Sequence, residues 1–336
     1  MKIKLIAILV SGLMLASCST GQPDWVDKPS DQYPQRDYLS AVGEADNRSA
    51  ADDRALANLA KIFQVAIKDS SLDFSQARVS GDQTGSSVSN TQTTSRYVNT
   101  EARQVLEGAQ LVESWQSEEG KTYALAVLER DPAASRFRRE VRKADQQISD
   151  RVTYASQQAS NPVVALAALE QARKIENQRS NLNRNLSVVS GDGIKARYDR
   201  PRLEKLLRNA LSTLHFHAVA DSQQLQQNLE SATSALGIKL DKESPYLLRA
   251  SMDTEPVQQL QGWYWLRGST QMSLYYQDEV IAQKRWPIKV SAIEEGMVEQ
   301  RAKDKLNGEM AGYLYELITS VQQISSASPL SAESGS

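Results

Sequence analysis

Cysteine is almost absent: Cys18 is the only one in 336 residues. That excludes an intramolecular disulfide and any multi-cysteine zinc or iron–sulfur site. Histidine is nearly as scarce. His215 and His217 are the only two, so any catalytic triad would have to use one of them. There is no excess of charge of either sign, with 39 basic and 41 acidic residues, which gives no argument for nucleic acid or for a strongly polyanionic partner. No Gly-x-Ser-x-Gly elbow, P-loop or His-Glu-x-x-His stretch is present. Aromatic residues make up only 6% of the chain, yet Trp263, Tyr264, Trp265, Tyr275, Tyr276 and Trp286 crowd one stretch.

What is present begins at the N-terminus. Lys2 and Lys4 form a basic segment, and Leu5 to Leu15 an apolar run of secretory-signal length, too short to span a bilayer. Leu15-Ala16-Ser17-Cys18 follows, and it resembles the lipobox of bacterial lipoproteins. Small side chains fit a processing protease, and a thiolate is the nucleophile needed to form a thioether with diacylglycerol. This predicts removal of residues 1–17 as a signal peptide and lipid attachment at Cys18, with diacylglycerol and a further acyl chain such as palmitate. Several acyl chains anchor firmly at about 0.8 kcal/mol per buried CH₂. The competing reading is an ordinary signal peptide with a chance cysteine. Ser19 rather than Asp follows the cysteine, and by resemblance to enterobacterial sorting rules this favours the outer membrane; the chain is expected to face the periplasm.

The hydrophobic content of 40% supports globular folding. At roughly 100–200 residues per domain, more than one core is expected. Residues 18–35, rich in Ser, Pro, Gly and Asp, read as a lipidated tether; alternatively Asp24-Trp25-Val26 docks the start of it onto the first domain. Residues 36–131 read as an α+β domain. Its strand Tyr38–Ala45 is expected to end at Gly43. A helix opens on a Ser49–Asp52 capping box, with Ala55, Leu59, Ile62, Phe63, Ala66 and Ile67 inward. Ser80 to Ser95 is a polar, low-complexity loop. Val105–Trp115 and Thr122–Leu128 pair through a turn at Glu118–Lys121.

Residues 132–189 read as two long helices broken at Asn161-Pro162 and folded as a hairpin. Arg136, Arg138, Arg139, Arg142 and Lys143 make a basic cluster there, a solvated helix face or a site for anionic lipid or an acidic partner. Residues 194–322 read as a second α+β domain: helices after Pro201 and around Leu225–Leu236, a strand at His215–Val219, strands at 246–252, 263–276 and 280–290, and a closing helix from Met297. Residues 323–336 read as a disordered tail. The fold class is therefore α+β, two small α+β domains joined by a long helical hairpin.

Pro23-Asp24-Trp25-Val26, the Val42-Gly43-Glu44-Ala45 strand, Asn58-Leu59-Ala60, then Gly108, Trp115 and Tyr123-Ala124-Leu125-Ala126 form an ordered series. Over about residues 23–130 it resembles the bacterial twenty-kilodalton lipoprotein (LPP-type) family. The resemblance implies a small α+β envelope lipoprotein, in some members surface-exposed or flagellar-associated, and no enzymatic activity. The last domain is faintly similar to periplasmic α/β modules of other envelope lipoproteins, including activators of peptidoglycan synthases.

Chemistry is harder to place. His215 and His217 share one face of a strand, but no third metal ligand stands at a telling spacing. Glu118-Glu119 and Glu294-Glu295 could in principle serve glycoside cleavage, but neighbours on a turn are usually solvated charge. Trp263 and Trp265 share one strand face and are the candidate interface, since aromatics dominate interface energetics; the competing reading buries them. No catalytic residue, cofactor or metal is assigned. The expected function is a non-catalytic binding or scaffold component of the envelope. Its partners are the membrane through the lipid and an envelope protein or peptidoglycan, with homo-oligomers allowed and nucleic acid excluded. The alternatives are a regulator of peptidoglycan synthesis, a flagellar-ring accessory, or a glycan-acting hydrolase.

Overall fold

The computed structural model describes residues 21–75 and 105–321. The signal peptide, Cys18 with its lipobox, the Ser80–Ser95 loop and the tail 323–336 lie outside the described residues, as do the side chains of Ala66 and Ile67. The fold is mixed α+β, as expected. By internal packing it divides into two units: the described residues up to Arg136 with Arg184–Asp192, and Phe137–Asn183 with the residues from Gly193 on. The two long helices run through both, so neither belongs to one unit alone.

In the first unit, β1 (Tyr38–Ala45), β2 (Gln110–Gln116) and β3 (Thr122–Glu129) form an antiparallel sheet in the order β1-β3-β2. Residues of β3 alternate between two buried faces. Ala124 and Ala126 point to one face, Leu125 and Val127 to the other, and all four are buried. On the Ala face lies α2 (Arg48–Ser75), whose Ala51, Ala55, Leu59 and Phe63 are buried. Small residues on both sides let helix and strand backbones touch. At Gly43, the partner of Ala124, a Cβ would lie 2.2 Å from the Ala55 nitrogen and 2.3 Å from the Ala51 oxygen. Only glycine fits there.

The expected end at Gly43 is not observed; pairing continues through Glu44 and Ala45 to Thr122. Two side chains of α2 then hydrogen-bond outer carbonyls of this edge strand. Asn58 Nδ2 donates to Val42 O at 2.9 Å, and Arg54 to Glu44 O. The expected capping box is also corrected. Asn47, not Ser49, caps α2: its Oδ1 accepts from Ala50 N at 3.0 Å. The run from Val105 becomes strand only at Gln110, because a turn at Leu106–Gly108 intervenes.

The other sheet face is covered by the segment expected to be tether. α1 (Asp24–Asp27) is four residues long, far below the length that sustains a free helix. Trp25, 6% exposed, holds it by packing on Leu125 and Val127. The docking reading of Asp24-Trp25-Val26 is thus the observed one, and residues before 36 are part of the first unit's packing. The Arg130 guanidinium closes this unit. It donates to Gln35 O at 2.7 Å and to Val188 O and Val189 O at 2.9 and 3.0 Å, satisfying carbonyls at a helix C-terminus.

Two long helices follow, α3 (Arg130–Gln157) and α4 (Pro162–Ser190). Asn161 Oδ1 caps α4 by accepting from Val163 N and Val164 N, both at 3.0 Å. Within the second unit they are tied by an ion pair: Arg179, 3% exposed, donates to both Asp145 oxygens at 2.9 and 3.3 Å, and to Ile194 O at 2.6 Å.

The second unit's sheet has β4 (His215–Ala220), β5 (Lys239–Leu240), β6 (Tyr246–Thr254), β7 (Gln258–Leu260), β8 (Trp263–Tyr276) and β9 (Glu279–Ala292). β5 and β6 flank β4 in parallel; β8 pairs antiparallel with β6, β7 and β9. The expected hairpin turn is present, with Gln277 and Asp278 both at positive φ, as a two-residue connection of twisted strands requires. α5 (Arg200–Ser212), capped by Asp199, α6 (Gln223–Ala235), capped by Ser222, and α7 (Glu295–Thr319) contribute Leu203, Leu207, Leu225, Leu229, Leu314 and Leu317 to one core with Phe216, Leu248 and Leu274. Val163, Leu166 and Leu169 of α4 join the same core.

Candidate interaction surface

One face of the second sheet is core and the other is open. Leu248, Ala250, Leu266, Met272, Leu274 and Ile288 point to the core and are buried. Their neighbours point the other way. Trp263 and Trp265 are among them, so the reading that buries them is not the one observed. Trp263 is 41% exposed and Trp265 is half-buried. Leu260, the register partner of Trp263, is 57% exposed, and Gln258 partners Trp265. Exposed Ile293 directly follows Ala292, the partner of Tyr264, so a further large apolar side chain stands at this end of the sheet.

Four cations share the open face with the tryptophans: Arg249 on β6, Arg267 on β8, and Arg285 and Lys289 on β9, all exposed. The Lys289 ammonium lies 5.2 Å from the Trp265 ring centroid, and Arg249 5.6 Å from that of Tyr275. Arg285 donates to Gln271 at 3.0 and 3.3 Å. Sequence reading missed these four as a group, since they are scattered over forty-one residues. Strand alternation plus the 277–279 turn was the signal that could have grouped those of β8 and β9.

The other candidates separate. His215 and His217 lie on the same side of β4; the nearest carboxylate to His215 is Asp241, at 3.8 Å. Among the described residues no three His, Cys, Asp or Glu side chains cluster. Glu118, Glu119, Glu294 and Glu295 are all exposed on turns or a helix start. In the basic cluster, Arg136 bonds the Glu107 carbonyl, while Arg138, Arg139, Arg142 and Lys143 are exposed along α3.

Ionisable groups with shifted pKa values lie mostly in structural contacts. Burial works to raise the Glu170 pKa, but hydrogen bonds from Arg173 (2.6 and 2.8 Å) and Tyr315 (2.7 Å) outweigh it and hold the carboxyl below its ordinary value. Glu316 is likewise lowered, by Lys284 at 2.6 Å and the Trp286 indole at 2.8 Å. Burial pushes the Tyr246 hydroxyl up to about 12. A cavity of about 280 Å³ opens between α6 and α7 beside the end of β6, lined by Leu225, Asn228, Thr254, Leu266, Glu299 and Lys303. No helix among the described residues is long and apolar enough to cross a membrane.

In the first unit, residues of the ordered series of short motifs have definite structural roles. Gly43 permits the strand–helix approach, Asn58 bonds the Val42 carbonyl, and Trp25 covers Leu125 and Val127. Residues 23–129 match the LPP20 lipoprotein family. The LPP20 match begins at Pro23, immediately before α1, and ends at Glu129, the last residue of β3. It supports a lipoprotein of the cell envelope. No curated protein matches the chain. Among solved structures, the chain is similar to the secreted protein HP1454 from Helicobacter pylori, with TM-score 0.42 and 14% identity over 82% of this chain and 96% of that one. It is also similar to a minor lipoprotein from Acinetobacter baumannii, with TM-score 0.27 and 17% identity over 31% of this chain and 90% of that one.

Proposed function

We propose that the protein is an outer-membrane lipoprotein, anchored through Cys18 with both units on the periplasmic side, that acts as a non-catalytic binding or scaffold component of the envelope. The observation that carries this reading is the start of the LPP20 match five residues after the lipobox cysteine. Those five residues span at most about 18 Å when fully extended. The first unit is therefore held close to the membrane surface, with no long leash for a roaming enzyme. Trp263 and Trp265 form the working surface, as half-exposed aromatics beside cations, the residue types enriched in interface hot spots.

The test is photocrosslinking in intact cells from a reactive side chain placed at Trp263 or Trp265. A discrete adduct is expected from both positions. Absence of any adduct there, with adducts from the exposed Arg138–Arg142 face of α3, would move the working surface elsewhere. Release of soluble fragments from peptidoglycan by the purified protein would contradict the non-catalytic reading.

A further inference from the structure

The chain as a whole is nearly neutral, but the open face of the second sheet is not. In register, Arg249 stands opposite Ser273, Arg285 opposite Gln271, and Arg267 directly opposite Lys289. Asp253 is the one carboxylate that alternation places among them on β6, β8 and β9; just past β6, Glu255 continues the register opposite Arg267, its N–H on the Arg267 carbonyl at 2.9 Å. Among the described residues none of the four cations forms a salt bridge. A like-charge pair directly across two strands is destabilising. Here Arg267 and Lys289 keep one on a face with serine and glutamine neighbours to spare.

Protection of a sheet edge accounts for part of this. β9 is an edge strand, and Lys284, Arg285, Pro287 and Lys289 along it are the residues that discourage edge-to-edge pairing. It does not account for Arg249 and Arg267. Those lie on β6 and β8, which are paired on both sides. Departures from local rules without structural compensation concentrate at functional sites.

From the charge pattern we infer that this face binds an extended acidic segment of a partner protein, with its carboxylates on Arg249, Arg267, Arg285 and Lys289 and an apolar side chain against Trp263 and Trp265. This rests on the binding-protein reading above and names the chemistry of the partner. The strip from Trp263 to Ser273 spans ten residue steps, about 34 Å at roughly 3.4 Å per residue, which suits a segment of similar length. Neutral Ser251, Ser269, Gln271 and Gln283 fill the gaps between cations and can bond a peptide backbone. A face meant to enter a lipid surface would carry apolar groups there instead.

The experiment uses the purified full chain in detergent and a fluorescent poly-glutamate peptide of about ten residues. Binding is expected, and it should weaken as salt is raised. Arg267→Glu should lower affinity about tenfold or more, since close interfacial charge pairs couple that strongly. It places a carboxylate opposite Lys289 on one side and opposite Glu255 on the other, so the melting temperature should stay within about 2–4 °C of the parent, the range of a surface substitution; loss of binding without loss of stability separates a docking role from a structural one. Lys289→Ala should lower affinity in the same direction by less. No binding of the peptide, or equal binding by Arg267→Glu, overturns the inference. Preference for phosphatidylcholine vesicles containing phosphatidylglycerol over the peptide also overturns it, in favour of a lipid surface. The assay does not depend on the anchor, so its failure is distinguishable from failure at Cys18.

Discussion

Replacing Trp25 by Ala asks whether the fold begins at the membrane anchor or a dozen residues later. The indole is buried against Leu125 and Val127, and Val26, Tyr33, Tyr38, Val42, Val112, Trp115 and Tyr123 pack around it. Removing a buried Trp costs about 3–5 kcal/mol, because the apolar contact is lost and the space does not fully collapse. A whole domain is stabilised by only about 5–15 kcal/mol. At about 4–8 °C per kcal/mol for a small domain, the first unit's transition should fall by roughly 12 °C or more. Differential scanning calorimetry measures this directly, with the second unit's transition as the internal reference. Undocking also lengthens the tether. Freed back to Tyr38, it would be some twenty residues, reaching about 70 Å instead of about 18 Å. A Trp25→Ala protein that melts within about 2–4 °C of the parent, the range of a surface substitution, would refute the placement of Trp25 in the core.

Other outcomes follow from single contacts. Gly43→Val should destabilise the first unit by about 1–3 kcal/mol or more in a urea titration, since its side chain meets the α2 backbone rather than a movable side chain. Arg179→Met leaves Asp145 and the Ile194 carbonyl without their donor inside the second unit, and should cost about 3 kcal/mol by the same measurement. For pH, the folded Glu170 pKa lies below its unfolded value, so its contribution is complete above the ordinary carboxylate pKa and is lost as pH falls through the depressed one. Glu170→Gln should therefore flatten the acid limb of the second unit's stability profile. If that limb is unchanged, other carboxylates control it.

Much of this was legible because each long element has a clear period. The Leu203–Leu207–Leu211 stripe and the Asn161-Pro162 break appear where spacing and proline chemistry put them. β5 and β7 escaped because two or three residues have no period to read. Val105 misled because a buried apolar residue just before a turn looks like a strand residue. The tether reading gave way at Trp25 because the four-residue helix has no propensity signal; a tertiary contact alone creates it. The cationic face was hidden for a different reason. Arg249, Arg267 and Arg285 are eighteen residues apart in turn, and only strand register sets them side by side. Balanced total charge then concealed a local imbalance.

The lipid at Cys18 is the central element of the proposed role. Cys18→Ala should abolish metabolic labelling with fatty acid and release the chain from the outer-membrane fraction into the soluble periplasmic one, with folding of both units unchanged. A Cys18→Ala protein that still carries label, or that stays in the outer membrane after salt washing, would contradict it.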